Sequence, residues 1–273
     1  MTPTLLGIPF DANSSYLRGP AAAPPRIREA LRCDASNKWA ESGVDVGAVG
    51  AFGDAGDLFV GDHSFDDHSS NHDTAFGEIE RAVGDLLQKN VRPVSLGGDH
   101  SITYPIIKAF ARRYPELTII HFDAHPDLYD ELDGNRMSHA CPFARIMEER
   151  LAKRLVQIGI RTMNGHQREQ ARRFGVEVVE MRSLPAYDKV NANGPIYVTF
   201  DIDVLDPAFA PGISHREPGG MSVREAIAHL HAIDGSIVGA DLVEYNPAQD
   251  VSGMTATVAA KILKELLGKM IAG

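Results

Sequence analysis

The sequence contains little cysteine and no long apolar run, and these absences exclude several classes of protein. Cys33 and Cys141 are the only cysteines among 273 residues, and they are too few and too far apart for a disulfide framework or a thiolate zinc site. No apolar run approaches the roughly 18 residues that a membrane-spanning helix needs. The first residues lack the basic stretch that opens a signal or transit peptide, so we expect a cytoplasmic protein.

Positive charge is also scarce. Lys and Arg number 27 against 37 Asp and Glu, which gives a formal net charge of −10. A chain of this charge is not expected to bind nucleic acid or an anionic membrane. An acidic surface usually serves solubility, but it would also weakly attract a small cationic substrate.

The chain shows no internal repeat and no linker rich in Pro, Gly or Ser, so residues 1–273 are predicted to form a single domain. Short β-branched stretches alternate with amphipathic helical stretches, which predicts an α/β fold: a three-layer α/β/α sandwich with a mostly parallel central sheet. The predicted strands are 4–8, 93–96, 118–122, 155–160, 176–179, 196–200 and 237–243. The predicted helices are 26–32, 74–88, 101–113, 142–150, 165–174, 222–233 and 254–270.

One acidic, histidine-containing segment, 54–73, interrupts this alternation. Its side chains could bind a metal, but they show no regular ligand spacing, so we interpret the segment as a solvated, mobile loop. The residues concerned are Asp62, His63, Asp66, Asp67, His68, His72 and Asp73.

Three polar clusters each follow a predicted strand directly. They are the segments 97–101 (GGDHS), 123–127 (DAHPD) and 201–203 (DID). In the first, two glycines allow a tight turn out of the strand before His100. In the other two, the alternation of an extended chain places the acidic residues and His125 on one side. Ligands of parallel sheets bind beyond the carboxyl ends of the strands, so these clusters mark the predicted site.

Together the clusters offer two imidazoles and four carboxylates, without a thiolate. A set of this kind suits Mn²⁺ and related divalent cations better than a structural zinc ion. Six ligands exceed what one ion usually takes from a protein, so carboxylates that bridge two ions would account for the number. A lone His–Asp pair is more often a hydrogen-bonded surface feature, but four unpaired carboxylates packed together would be costly without a cation.

The same segments resemble the signature motifs of the ureohydrolase (arginase/agmatinase) superfamily. The motifs are 97–101 (GGDHS), 123–127 (DAHPD) and 201–207 (DIDVLDP). The segments 134–140 (GNRMSHA), 143–148 (FARIME) and 207–215 (PAFAPGISH) make the sequence most similar to plant-type arginases, which are themselves close to agmatinases. The resemblance extends from residue 13 to the final helix and implies an arginase-like fold.

The resemblance implies a binuclear manganese hydrolase that uses a hydroxide shared by two Mn²⁺ ions per chain. The ligands that it implies are His100, Asp123, Asp127 and Asp201 for one ion, and Asp123, His125, Asp201 and Asp203 for the other. It further implies that Asp127 accepts a hydrogen bond from the hydroxide, that Glu244 pairs with the substrate guanidinium, and that His139 shuttles a proton. Relatives of this kind form trimers and hexamers, so a homo-oligomer is expected.

The sequence alone does not identify the substrate. We expect an arginase that cleaves L-arginine to L-ornithine and urea, and the alternatives are an agmatinase that yields putrescine, another guanidino-acid hydrolase, or a metal-binding protein without catalysis. Asn135 and Ser138 could bind the α-carboxylate of arginine, or they could only shape their loop. His215 is either a wall of the pocket or a substrate contact. Cys141 is expected to be a small buried or loop thiol rather than a nucleophile.

Overall fold

The computed structural model of the protein describes residues 1–60, 70–186 and 190–273. Eight parallel strands form one sheet in the order β2-β1-β3-β8-β7-β4-β5-β6. The strands are β1 Pro3–Gly7, β2 Gly53–Asp57, β3 Arg92–Leu96, β4 Thr118–Phe122, β5 Arg154–Ile160, β6 Glu177–Glu180, β7 Val190–Asp201 and β8 Ile233–Val243. The helices are α1 Ala23–Arg32, α2 Ser70–Gln88, α3 Thr103–Arg113, α4 Pro142–Glu148, α5 Gly165–Phe174, α6 Val223–His231 and α7 Met254–Ala272.

The central strands are apolar on both faces because helices cover both sides of the sheet. In β4, Ile119 belongs to one buried cluster, while Ile120 and Phe122 belong to the other. Helices α1, α6 and α7 pack together on one face, and α2, α3, α4 and α5 follow one another on the second face. The predicted three-layer α/β/α sandwich is therefore confirmed, and its sheet is parallel throughout the described residues.

Strand β2 differs from the prediction, which placed a loop over 54–73. This strand lies at the edge of the sheet and is mostly exposed, so it carries none of the apolar residues by which a strand is found in a sequence. Its Asp54 and Asp57 form ion pairs with Arg28 of α1. The other end of the segment also differs, because α2 begins at Ser70 and includes His72 and Asp73. Asp62, His63, Asp66, Asp67 and His68 lie outside the described residues.

The four strands at the centre of the sheet place the candidate site. Strands β3, β8, β7 and β4 are consecutive neighbours, and the segments that follow them carry His100, Glu244, Asp201 and Asp123. Because the strands are parallel, all four segments emerge at the same edge. Among the described helices, none is long and apolar enough to cross a membrane.

Candidate active site

A cavity of about 260 Å³ opens at this edge of the sheet. Its walls include six of the residues predicted for the metal and catalytic site: His125, Asp127, His139, Asp201, Asp203 and Glu244. The remaining lining residues are Ser15, Tyr129, Leu132, Ala140, Thr162, Gln167, His215 and Glu217. No described lysine or arginine is among these walls, so the cavity is suited to a cation.

The turn after β3 requires a glycine because the backbone of another segment passes close to it. A Cβ atom on Gly98 would lie 1.6 Å from the carbonyl oxygen of Phe10. The glycine is therefore required by close approach rather than by a left-handed conformation. The following Asp99 accepts a hydrogen bond from the backbone N–H of Ser101 at 3.1 Å. Together these contacts deliver His100 into the buried end of the site.

The imidazole of His100 marks the first candidate cation position. Its Nε2 hydrogen-bonds to Thr199 Oγ1 at 3.0 Å. Its buried Nδ1 has no hydrogen-bond partner of acceptable geometry among the described residues. That nitrogen instead lies 3.1 Å from one carboxylate oxygen each of Asp123, Asp127 and Asp201. One nitrogen lone pair and three carboxylate oxygens that converge in this way form a donor set for a divalent cation.

A second candidate position adjoins the first through Asp123. Nδ1 of His125 lies 3.4 Å from Asp123 Oδ1 and 3.0 Å from Asp203 Oδ2. Ligand atoms of these three residues come close enough together to hold one ion. Asp123 thus presents one carboxylate oxygen to each position, as the prediction of a bridging carboxylate requires. Asp201 also connects the two groups, because its Oδ1 accepts the backbone N–H of Asp203 at 2.8 Å.

The carboxylates of the site repel one another. Burial, together with the negative charges of Asp203 and Asp123, holds the pKa of Asp201 well above its usual range. Burial and the charge of Asp123 raise the pKa of Asp203 to about 6. A divalent cation would remove this cost, because its charge favours the ionised form of every acid around it. The residues present therefore fit a pair of divalent ions.

Glu244 and His139 form a separate buried pair at the cavity wall. Glu244 Oε1 accepts a hydrogen bond from the backbone N–H of His100 at 2.9 Å and lies 2.8 Å from His139 Nδ1. Burial alone would lower the pKa of His139, but the adjacent Glu244 carboxylate outweighs it and raises that pKa to about 9. On its other side, His139 Nε2 lies 2.8 Å from Ser15 Oγ.

Two residues of the cavity wall have a strained backbone conformation. Asp127 has φ of 48° and Glu244 has φ of 64°, values that side-chain-bearing residues adopt infrequently. Such conformations persist only where the surrounding contacts hold them, and they occur preferentially at functional sites. Both residues belong to the predicted catalytic set.

Asn135 and Ser138 make contacts within the protein, and their role in binding a carboxylate stays a prediction. Neither is among the residues that line the cavity. Both polar ends of the Asn135 amide are engaged within the protein, with Met137 N at 2.8 Å and Asn13 Oδ1 at 3.3 Å. The Ser138 hydroxyl is buried and accepts the backbone N–H of Ala140 at 3.3 Å. Their observed contacts shape the loop that carries His139, which was the alternative interpretation.

Several lining residues carry no motif and were not predicted. Tyr129, Gln167 and Glu217 form the part of the wall that lies beyond the predicted site residues. Ser15 comes from a loop near the start of the chain.

Two residues that the sequence analysis considered, His215 and Cys141, also lie near the site. His215 is a wall residue, and its ring centroid lies 5.0 Å from that of His139. Cys141 is buried, and burial raises the pKa of its thiol to about 12, so the structure gives it no activated thiolate.

The chain resembles known proteins in family, sequence and fold. Residues 2–268 match the model of the arginase family. The chain is 45% identical to "Arginase 1, mitochondrial" of Arabidopsis thaliana, over 98% of this chain and 80% of that protein. It is 36% identical to an agmatinase of Bacillus subtilis, over 96% and 90% of the two chains. The solved arginase of Medicago truncatula superimposes with a TM-score of 0.91 at 42% identity, covering 98% of this chain and 87% of that one.

The comparison corrects the expected cytoplasmic location. The Arabidopsis arginase and further plant arginases among the similar sequences are named as mitochondrial or chloroplastic/mitochondrial proteins. The expectation depended on the absence of a basic leader in the first residues, and such an absence does not identify a compartment. The cytoplasmic prediction is therefore wrong.

Proposed function

Because this chain belongs to the arginase family of ureohydrolases, we propose that it hydrolyses L-arginine to L-ornithine and urea. The observation that carries the proposal is the arrangement around His100. Its unpaired Nδ1 faces three carboxylates, while its backbone N–H holds the carboxylate of Glu244. A cation site and an anchor for a guanidinium group therefore meet at one residue.

We propose that two Mn²⁺ ions are the cofactor. His100 and Asp127 would hold one ion, His125 and Asp203 would hold the other, and Asp123 and Asp201 would contribute to both. When bound, the pair of ions would lower the pKa of water and so supply a nucleophile at neutral pH. All of these ligands are carboxylates or imidazoles, which supports manganese over a metal that prefers thiolate ligands.

The remaining catalytic roles belong to Glu244, His139 and Asp127. A carboxylate and a guanidinium are both planar and form two parallel hydrogen bonds, so Glu244 would fix the plane of the substrate group. Hydrolysis breaks the bond between the guanidinium carbon and the side-chain nitrogen, and the leaving amine needs a proton. Asp127 would accept the proton of the attacking water, and His139 would carry a proton between the cavity and solvent.

Arginine is further supported by the polar groups beyond the metal ligands. The amide oxygen of Gln167 accepts the backbone N–H of Asn164 at 3.2 Å, which leaves its Nε2 as a donor. The Tyr129 hydroxyl accepts from Asn164 Nδ2 at 2.8 Å, which leaves its own proton to donate. We propose that these two donors receive the α-carboxylate of arginine and that Glu217 receives its α-ammonium.

The decisive experiment measures urea release from L-arginine, agmatine and guanidinobutyrate in parallel, with saturating Mn²⁺. We expect kcat/KM to be highest for L-arginine, because donors that face a carboxylate are left unpaired by an analogue that lacks it. Gln167→Leu should reduce the ratio of kcat/KM for L-arginine to that for agmatine. Asn135→Ala is the matched control, because Asn135 does not line the cavity and its replacement should leave this ratio unchanged. A higher kcat/KM for agmatine would contradict the arginase proposal and leave the metal mechanism intact.

Agmatine hydrolysis is the second candidate function. The similarity to a bacterial agmatinase over most of both chains favours it, as does the position of Asn135 and Ser138 outside the cavity lining. A metal-binding role without catalysis would require that no guanidino compound in the assay releases urea.

Homo-oligomeric assembly and the single-domain organisation of residues 1–273 stay predictions.

A further inference from the structure

Two buried polar side chains lie behind the metal positions and have no role in the function proposed above. His121 is in β4 and Gln157 is in β5, and the two residues are direct partners in the register of these parallel strands. Both are 0% exposed. The His121 ring stacks on Phe143 with a centroid distance of 4.0 Å. Burying a polar group without a hydrogen-bond partner is energetically costly. The hydrogen bonds of these two side chains therefore indicate how each is oriented.

The hydrogen bonds of Gln157 determine which nitrogen of His121 carries the proton. Gln157 Nε2 lies 2.6 Å from the carbonyl oxygen of Pro126. A carbonyl oxygen can only accept, so the group that faces it must be the amide NH₂. The same NH₂ lies 3.1 Å from His121 Nδ1. This nitrogen therefore accepts, and the proton of the imidazole resides on Nε2.

That proton is directed at the carboxylate shared by both cation positions. His121 Nε2 lies 2.7 Å from Asp123 Oδ2, the oxygen that is also 3.1 Å from His100 Nδ1. The other oxygen, Oδ1, accepts the backbone N–H of His125 at 2.5 Å. Two donors thus hold the two oxygens of Asp123, and each oxygen faces a different candidate ion.

We propose that His121 and Gln157 are positioning residues that fix the rotation of the Asp123 carboxylate, so that it can span two cations. His121 lies close enough to His100 and Asp123 to be counted as a third ligand. Its bonds argue against ligation, because Nδ1 is occupied by the Gln157 amide and Nε2 presents a proton. The inference rests on the proposed metal site and extends it by two residues that touch neither metal nor substrate.

The experiment compares the affinity for Mn²⁺ of His121 variants by titration of metal-free protein in competition with a chelator. His121→Gln places an amide donor near the position of Nε2, whereas His121→Asn places it near Nδ1, and His121→Phe keeps the ring on Phe143 without any donor. We expect roughly a 10- to 100-fold weaker affinity for the Asn and Phe variants, which is the usual effect of removing such a partner. The Gln variant should stay within a few-fold of the natural protein.

Gln157→Leu supplies an independent measurement on the partner strand. It removes the group that fixes the tautomer, so Mn²⁺ affinity should fall even though His121 is intact. Circular dichroism with thermal unfolding identifies any variant that does not fold, and the folded members of the set then decide the question. Unchanged affinity in His121→Asn or His121→Phe would overturn the inference. Equal loss in all three His121 variants would also overturn it, because that is the result expected of a ligand.

The outcome is separable from that of the proposed function. Affinity for Mn²⁺ is measured without turnover, so a protein that binds the metal but prefers agmatine leaves this inference standing. A natural protein that binds no Mn²⁺ contradicts the proposed metal site itself.

Discussion

Raising the pH of the metal-free protein through about 9 should weaken its fold, because His139 loses the positive charge that pairs with the Glu244 carboxylate. The ordinary pKa of histidine, 6.5, is raised to about 9 in the folded protein. Protonated His139 is therefore stabilised by folding. This contribution is fully present below the unfolded pKa and disappears as the pH rises through the folded one. The lowered pKa of Glu244 reflects the same contact, so the interaction is counted once.

The magnitude follows from the shift of His139. The difference between about 9 and 6.5 corresponds to about 3 kcal/mol of unfolding free energy when the histidine is fully charged. Linkage then predicts a loss of about 2 kcal/mol between about pH 7.5 and 9.5. Both residues are almost fully buried, so solvent and salt should screen the pair only weakly.

Urea unfolding of the chelator-treated protein at several pH values measures this loss. His139→Asn is the control, because its amide donor takes the place of Nδ1 and keeps a hydrogen bond to Glu244 without a titrating group. The quantity of interest is the difference between the two proteins, since groups remote from the His139–Glu244 pair titrate equally in both. The free energy of unfolding of the natural protein should fall relative to that of the variant between about pH 7.5 and 9.5. Parallel curves from about pH 7.5 to 9.5 would refute the assigned pairing.

Two further predictions concern the metal and the substrate anchor. Glu244→Gln should lower kcat/KM by about 100- to 1000-fold, the equivalent of about 3–4 kcal/mol of charge-assisted hydrogen bonding, while elemental analysis still finds about two Mn²⁺ per chain. Loss of metal from that variant would make Glu244 a ligand. Asp123→Ala and Asp201→Ala should reduce turnover to background and leave clearly less than about one Mn²⁺ per chain, because each carboxylate would serve both ions, whereas Asp203→Ala should retain about one Mn²⁺, at the position next to His100. About one Mn²⁺ per chain in all three variants would contradict the bridging role.

The sequence indicated the central part of the sheet because burial on both faces leaves an apolar pattern. Strands β3, β4 and β5 lie close to their predicted bounds for this reason. Strand β2 left no such pattern, since it is an exposed edge strand of Gly, Asp and Ala held by Arg28. Strands β7 and β8 begin earlier than predicted, at the buried residues Val190 and Ile233, because polar residues and glycine separate these two from the apolar runs that follow.

The site could be predicted wherever its residues are grouped in the chain. The metal ligands follow strands in short motifs, and the structure brings them together at the expected edge. Ser15 and Gln157 left no local signal, because their importance depends on loop packing and on the register of β4 against β5. For Asn135 and Ser138 the sequence left two alternatives, substrate contact or support of the loop, because spacing within a loop does not determine which way a side chain points.

The hydrogen bonds that close the site also impose an order on biosynthesis. They join residues separated by 144, 124 and 105 positions, and β8, which Glu244 directly follows, inserts between β3 and β7. The middle of the sheet is therefore completed by a strand synthesised after both of its neighbours, and until then these two inner strands present open edges to other nascent chains. Such long-range parallel pairing is slow to form. Stable occupancy by metal should consequently mark chains in which β8 has already paired with β3 and β7, which makes ion uptake a late step in the folding of the enzyme.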